Sequence, residues 1–186
     1  IGTHLQGTIN VSRAAWPHLV TQGYGRVIST SSGAVFGSPV GLSYQSAKAG
    51  VVGLTRGLAT AGKAHGIAVN AIMPTAFTRM TDSIPDPTFR KFMENRFTPE
   101  RIAGFAAVLA HETCGHTGEI FLVGGGRVSR LLLGVTAGIV ADEGTPEEFS
   151  LRLDDAMRID GVIYPRDRLE EFQSYLGRLG FGNGSL

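Results

Sequence analysis

The chain has 186 residues, 42% apolar and 18% charged, with 26 glycines and 8 prolines, which is the makeup of one globular domain rather than a disordered or collagenous chain. Its 17 Lys and Arg against 16 Asp and Glu leave a formal charge of +1, scattered rather than striped, so neither nucleic acid nor an anionic membrane surface is an expected partner. The single cysteine, Cys114, excludes an intrachain disulfide and a cysteine-rich zinc site and suits a cytoplasmic location, and the longest apolar run, the 11 residues Leu131 to Ala141, is too short to span a bilayer.

Leu5, Ile9, Trp16 and Leu19 recur near helical spacing and predict a helix from Thr3 to Val20. The chain opens on Ile1 rather than Met and runs straight into that helix, so the expectation is a segment of a longer polypeptide, with no leader peptide. Gly23 and Gly25 punctuate a turn, after which Arg26-Val27-Ile28-Ser29 reads as a short buried strand running into the small polar cluster Thr30-Ser31-Ser32-Gly33. A loop with Gly37, Pro39 and Gly41 follows. Ser43 is the expected N-cap of a helix from Tyr44 to Lys63, in which Ala47, Val51, Leu54, Leu58 and Ala61 keep to one stripe and which Gly66 ends.

Ile67-Ala68-Val69-Asn70-Ala71-Ile72 reads as a second strand stopped by Pro74, and the polar, proline-bearing stretch from Thr75 to Pro87 as a loop able to act as a flap. Thr98-Pro99-Glu100 places a cap and a first-turn proline ahead of a helix to about His111, and Gly118 to Val123 reads as a third strand ending in Gly124-Gly125-Gly126. Strand and helix alternate, which argues for parallel strands joined by helical crossovers in an α/β sheet covered on both faces. Beyond Gly134 the pattern turns helical: Thr145-Pro146-Glu147-Glu148 is a capping box opening a helix to about Arg158, and Arg166 to Leu179 predicts another.

Tyr44 and Lys48, four apart at the start of a helix, project from one face near the polar end of the Arg26 to Ser29 strand. An ammonium a few ångström from a phenol favours the phenolate and suits the tyrosine to general acid–base work near neutral pH, while a neighbouring hydroxyl can hold a substrate oxygen. The plainer alternative is a half-buried Tyr44 anchor and a solvated Lys48. His111, Cys114 and His116 do not make a metal site: the two histidines are five apart rather than on one helical face, and Gly115 and Gly118 mark a turn, so no metal is expected.

A serine pair at a strand end, Tyr-x-x-x-Lys a dozen residues later, and then Val69-Asn70-Ala71-Ile72-Met73-Pro74 together resemble the short-chain dehydrogenase/reductase family, from about Thr3 to Gly126. The resemblance implies a Rossmann-like doubly wound parallel sheet, NAD or NADP as cofactor and a small-molecule secondary alcohol or ketone as substrate. It assigns a serine that polarises the substrate oxygen, a tyrosine that exchanges the proton, and a lysine that binds the nicotinamide ribose and lowers the tyrosine pKa: Ser32, Tyr44 and Lys48. The serine stays open between two positions. The family spacing of 13 residues before the tyrosine selects Ser31, whereas register along the strand from Gly25-Arg26 selects Ser32, preferred because a strand holds register better than a loop.

Pro74 matches the proline of the family's Pro-Gly motif, with Thr75 in place of the glycine and Thr78 as the counterpart of the following threonine. The implied cofactor contacts are therefore Tyr44, Lys48, Pro74, Thr75, Phe77 and Thr78, against the simpler reading of Pro74 as a strand stop. His4 replaces the family's usual asparagine, either as a relay group or merely as a first-turn polar residue. Together with Ser12-Arg13-Ala14-Ala15-Trp16, Arg79-Met80-Thr81 and His111-Glu112-Thr113-Cys114, the segment His4-Leu5-Gln6-Gly7 is similar to one branch of the family, the (3R)-hydroxyacyl-CoA dehydrogenase modules of peroxisomal multifunctional enzyme type 2 and their bacterial homologues.

The glycine-rich turn and the ribose-binding residue of a dinucleotide fold are not in this sequence. The N-terminal half of the domain, about 100 residues or more, is thus expected to lie outside it, and the segment alone is expected neither to bind NAD(P) tightly nor to turn over. Residues 1–133 are read as the active-site half of the Rossmann domain and 134–186 as a helical C-terminal extension. The expected function is oxidoreduction between a secondary alcohol and a ketone, with 3-hydroxyacyl-CoA and 3-oxoacyl-CoA as the candidate pair, in a homodimer or homotetramer that the resemblance assembles through the two long helices and the last strand. The alternative is a catalytically silent subunit with an incomplete cofactor site that acts through oligomer contacts.

Overall fold

A computed structural model describes residues 1–81 and 84–181, which fall into two units, Ile1–Leu131 and Leu132–Leu186. In the first, a wide helical turn at Gly2–Gln6 runs into α1 (Gly7–Gln22), followed by β1 (Gly25–Thr30), α2 (Leu42–Gly62) and β2 (Ile67–Pro74). Next come α3 (Pro87–Arg96), α4 (Pro99–Ala110), β3 (Ile120–Gly124) and β4 (Arg127–Arg130). The strands lie in the order β1-β2-β3-β4. β1 pairs in parallel with β2 from Gly25 opposite Ile67 to Thr30 opposite Ile72, and β2 with β3 from Ala71 opposite Ile120 to Pro74 opposite Val123. Parallel neighbours need long crossovers, supplied here by α2 and by the α3–α4 pair.

Because successive strand residues point to opposite faces, β2 divides its side chains between two cores. Ile67 and Val69 pack with Ala59 of α2 and against Trp16 and Leu19 of α1, and Ala71 and Met73 pack with Val52 of α2 and Ile120 of β3. On the other face Ile72 and Val123 pack with Leu109 of α4 and with Cys114. Helices therefore cover both faces, and the unit is part of a Rossmann-like α/β domain. Among the described residues no helix is long and apolar enough to cross a membrane.

Four local features differ from the sequence reading. β4 is antiparallel to β3, so the sheet is not wholly parallel: Gly125 and Gly126, at φ +60° and +82°, turn the chain back in two residues, the backbone of a type I′ hairpin. α3 stands where no element was expected; Asp86 caps it by accepting the Phe89 N–H at 2.7 Å, with Pro87 in the first turn. Ser43 is not the cap of α2, which begins at Leu42 after Gly41 in the left-handed region. Of the expected flap, Thr75 and Phe77 are fastened, their N–H groups donating to the carbonyls of Val123 and Phe97 at 2.8 and 2.7 Å; residues 82 and 83 lie outside the described residues.

The second unit holds α5 (Pro146–Ala156) and α6 (Arg168–Arg178), with an isolated antiparallel bridge between Val135 and Ile163. Thr145 accepts the Glu148 N–H at 3.2 Å, as a capping box requires, but the Glu148 carboxylate turns to the preceding loop instead of back to Thr145. It accepts from the N–H groups of Asp142, Glu143 and Gly144, and these bonds, that of Asp142 foremost, hold its carboxyl below the usual range. This tie is complete at neutral pH and is lost as pH falls through the lowered value.

Gly62 ends α2 against the start of β2, where a Cβ would lie 2.5 Å from the Ile67 carbonyl oxygen, whereas a Cβ on Gly53 of the same helix meets nothing within 4 Å. Gly62→Ala is expected to destabilise the protein by about 1–3 kcal/mol in urea unfolding. Gly53→Ala should be neutral or stabilise it by up to about 1 kcal/mol.

Candidate active site

The residues after β1 keep the strand's alternation: Ser29 and Ser31 are buried, Thr30 is exposed and Ser32 is half-buried. Ser31 is only 2% exposed, and its hydroxyl donates to the Lys48 carbonyl of α2 at 2.8 Å. Its one donor thus serves to tie the strand end to the helix. Ser32, one residue on, caps the short helical turn Gly33–Phe36 by accepting the Ala34 N–H at 3.2 Å, which leaves its own hydroxyl hydrogen to donate elsewhere.

Lys48 points inward. The residue is 8% exposed, and Nζ donates to the Thr30 carbonyl at 2.7 Å while lying 5.7 Å from the centre of the Tyr44 ring. Tyr44, one turn earlier, is 38% exposed, and its hydroxyl makes no hydrogen bond among the described residues. The His4 ring meets the Tyr44 ring edge-on, with centroids 5.1 Å apart. The helical turn at the start of the chain therefore brings an exposed imidazole to the same phenol that the lysine approaches from inside.

The sequence reading missed Gln45. Its amide accepts the Ser38 N–H at 3.1 Å and donates to the carbonyls of Ser38 and Val40 at 2.8 and 2.6 Å, so the first turn of α2 clamps the loop that separates Ser32 from Tyr44. A lone glutamine beside Tyr44 offers no periodic or motif signal for this; only the folded loop shows it.

Pro74, Thr75, Phe77 and Thr78 sit at the end of the adjacent strand; Pro74 and Thr75 pair with β3, Phe77 bonds Phe97 just after α3, and none of the four bonds Tyr44 or Lys48. Thr78 closes a turn with Thr81: its N–H donates to Thr81 Oγ1 at 2.7 Å, and its own hydroxyl accepts the Met80 N–H at 3.3 Å. The exposed Thr75 and Thr78 carry the polar groups of this second cluster. Asn70, 1% exposed within the motif at Val69–Pro74, donates to the His116 carbonyl and accepts the Glu119 N–H, which makes it a strut under β3.

The donor set can be tested against a nicotinamide cofactor. Lys48 carries three N–H donors and spends one on Thr30, so a largely buried ammonium keeps donors for adjacent hydroxyls such as those of a ribose. These residues suit the nicotinamide riboside end of a dinucleotide. Among the described residues no three His, Cys, Asp or Glu side chains gather as a metal site. His111 instead accepts the Thr113 N–H in a local turn, and Cys114 is buried among apolar residues.

Residues 1–87 match the family model for short chain dehydrogenase. A short-chain type dehydrogenase/reductase of Mycobacterium tuberculosis is 42% identical over 131 residues, 70% of this chain and 44% of the relative. The peroxisomal hydratase-dehydrogenase-epimerase of Neurospora crassa is 37% identical over 167 residues, 87% of this chain and 18% of the relative. The structure of full-length peroxisomal multifunctional enzyme type 2 from Drosophila melanogaster superposes with a TM-score of 0.83 at 26% identity, over 96% of this chain and 33% of that one. The chain thus spans less than half the length of these relatives. With the Rossmann-like sheet and the Ser-Tyr-Lys arrangement at its strand ends, these likenesses identify the chain as a member of the short-chain dehydrogenase/reductase family.

Proposed function

We propose that this chain carries the catalytic half of an NAD(P)-dependent oxidoreductase that interconverts a secondary alcohol and a ketone, with 3-hydroxyacyl-CoA and 3-oxoacyl-CoA as the pair. The observation that carries the reading is the placement of the Lys48 ammonium, buried and fixed on Thr30 beside the Tyr44 ring, next to a strand end that presents the Ser32 hydroxyl. The acyl-CoA class rests on the His4-Leu5-Gln6-Gly7 and Arg79-Met80-Thr81 segments and on likeness to the multifunctional peroxisomal enzymes.

In the reductive direction Ser32 donates a hydrogen bond to the ketone oxygen and Tyr44 delivers the proton to it. Lys48 stabilises the phenolate left behind and holds the ribose hydroxyls with its remaining donors. NAD or NADP, when bound, supplies or accepts the hydride. Pro74, Thr75, Phe77 and Thr78 line the carboxamide side. Ser31, whose hydroxyl is spent on Lys48, acts by keeping the strand end and the helix in register.

Exposed apolar residues on the two long helices, Val11 at 71% and Leu42 at 69%, support a homodimer or homotetramer assembled through them. We place the enzyme in the cytoplasm on its lone buried cysteine; the peroxisomal relatives make that compartment the competing one.

In the intact protein, Tyr44→Phe is expected to lower ketone reduction, followed as NADH or NADPH oxidation, by about 100-fold to 10,000-fold while cofactor titration by fluorescence is unchanged. Near wild-type reduction by this variant sinks the mechanism. A wild type that neither binds cofactor nor turns over a ketone favours the silent subunit. Ser32→Ala should cost on the order of 100-fold in kcat, more than the roughly 0.5–2 kcal/mol of stability that goes with its cap on the Gly33–Phe36 turn accounts for. Ser31→Ala should lose about 0.5–1.5 kcal/mol of stability and keep most of its activity.

A further inference from the structure

Beyond Thr75 the catalytic edge of the sheet continues into a cleft of about 260 Å³ that shares only Thr75 with the residues of the proposed reaction. Thr75, Phe92, Phe97 and Leu122 line it, and Arg96, from the last turn of α3, and Arg127, the first residue of β4, stand at its sides. Phe92 and Phe97 meet edge to face with centroids 5.9 Å apart. A third guanidinium lies beside the hairpin turn: Arg101 Nη1 is 3.0 Å from where a side chain on Gly126 would begin.

Charge separates these arginines from Arg130 of the hairpin and from three arginines of the second unit, while Arg152 and Arg178 there bond the backbone carbonyls of Val140 and Gly161. Arg130 is paired with Glu119, and Arg158, Arg166 and Arg168 each have a carboxylate partner. Among the described residues Arg96, Arg101 and Arg127 have none. Glu100, the acid next to Arg101, makes no ion pair among the described residues, and its own N–H and the Thr98 hydroxyl hold its carboxyl below the usual range. Two arginines from separate elements lining one cleft with two aromatic rings, neither of them paired with a carboxylate among the described residues, fit a ligand that combines phosphates with a flat ring, because guanidinium matches phosphate in a two-pronged hydrogen bond and aromatic faces accept a base.

We propose that Arg96 and Arg127, with Arg101 beside them, bind the phosphorylated nucleotide end of a CoA thioester. The inference rests on the oxidoreductase reading for its choice of ligand. CoA carries its phosphates at the far end of a pantetheine arm from the thioester, so their site belongs at some remove from the reacting carbon. The cleft lies two strands from β1, about 10 Å along the sheet edge, and its volume takes one end of such a molecule and not the whole.

Calorimetric titration of the intact protein with CoA and with adenosine 3′,5′-bisphosphate tests this without turnover. The double variant Arg96→Gln, Arg127→Gln is expected to weaken both at least tenfold, and Arg13→Gln on α1 to leave them unchanged. In parallel, the double variant should raise KM for acetoacetyl-CoA about tenfold and leave kcat/KM for the N-acetylcysteamine thioester, which has no phosphates, as it is. Equal binding of both probes by variant and wild type overturns the proposal. So does a wild type that binds neither, or a loss confined to NADPH, which would give the cleft to the dinucleotide. If the arginines bind CoA but no thioester is reduced, the cleft stands and the oxidoreductase reading falls.

Discussion

A lysine that is 8% exposed must have somewhere to put its charge, and Lys48 puts it on the carbonyl that ends β1. Withdrawing an ammonium from water costs several kcal/mol unless hydrogen bonds and nearby charge offset it, so that end of the strand and the first turns of α2 are bound to each other by electrostatics as well as by packing. The rest of the site follows from this. Ala47 and Val51 are fully buried on either side of Lys48, and the Ser31 hydroxyl reaches the Lys48 carbonyl from the strand. Gln45 fixes the intervening loop, and the side of the helix that carries Tyr44 is left facing outward. A single bond between Nζ and Thr30 thus orients a helix whose next exposed turn carries the phenol.

Strand alternation allots the neighbouring hydroxyls their separate tasks. Ser29 and Ser31 point into the body of the unit, and Ser31 uses its only donor there; Ser32, a half-step on, faces outward with its donor unspent. The same rule makes Asn70 a strut and not a site residue. Its side chain lies under β3, where it completes hydrogen bonds for His116 and Glu119 that the crossover would otherwise leave open.

Much of this could be read from the residues because the determining signals are local. Helical spacing in Leu5 to Leu19 and Ala47 to Ala61, the strand stop at Pro74 and the cap at Thr98-Pro99 each depend on a few neighbours. The hairpin and α3 were equally local, as Gly125-Gly126 and Asp86-Pro87 announce a two-residue turn and a capped start, but each signal was overshadowed: the glycines by their reading as a strand end, Asp86 by the loop composition around it. What could not be read was spatial. The choice between Ser31 and Ser32 depends on which side chain meets Lys48, the clamp at Gln45 on how a loop of Gly, Pro and Ser closes, and the meeting of His4 with Tyr44 on where the opening helix lies beside α2. None of these leaves a period or a motif in the chain.

The two ends of the parallel strands are finished in opposite ways. At the lower end nearly every polar group is answered from within: Arg26 donates to the carbonyls of His111 and Glu112, Thr117 Oγ1 accepts the Val69 N–H, and the Val69 carbonyl accepts the Gly118 N–H. Of that turn's histidines and cysteine, His111 bonds Thr113, His116 offers its carbonyl to Asn70, and Cys114 packs in the apolar core. At the upper end donors are left over: the Ser32 hydroxyl, two of the three N–H groups of Lys48, the Tyr44 hydroxyl, and the guanidinium groups of Arg96 and Arg127. Among the described residues no buried side-chain nitrogen or oxygen lacks a partner, so the surplus sits where solvent or a ligand can reach it. In an open α/β sheet the carboxyl ends of the strands are where ligands bind. Here the hydrogen bonds of the two ends point the same way without appeal to the fold: one end is tied from within, and the other keeps donors that water or an oxygen-rich ligand can take up.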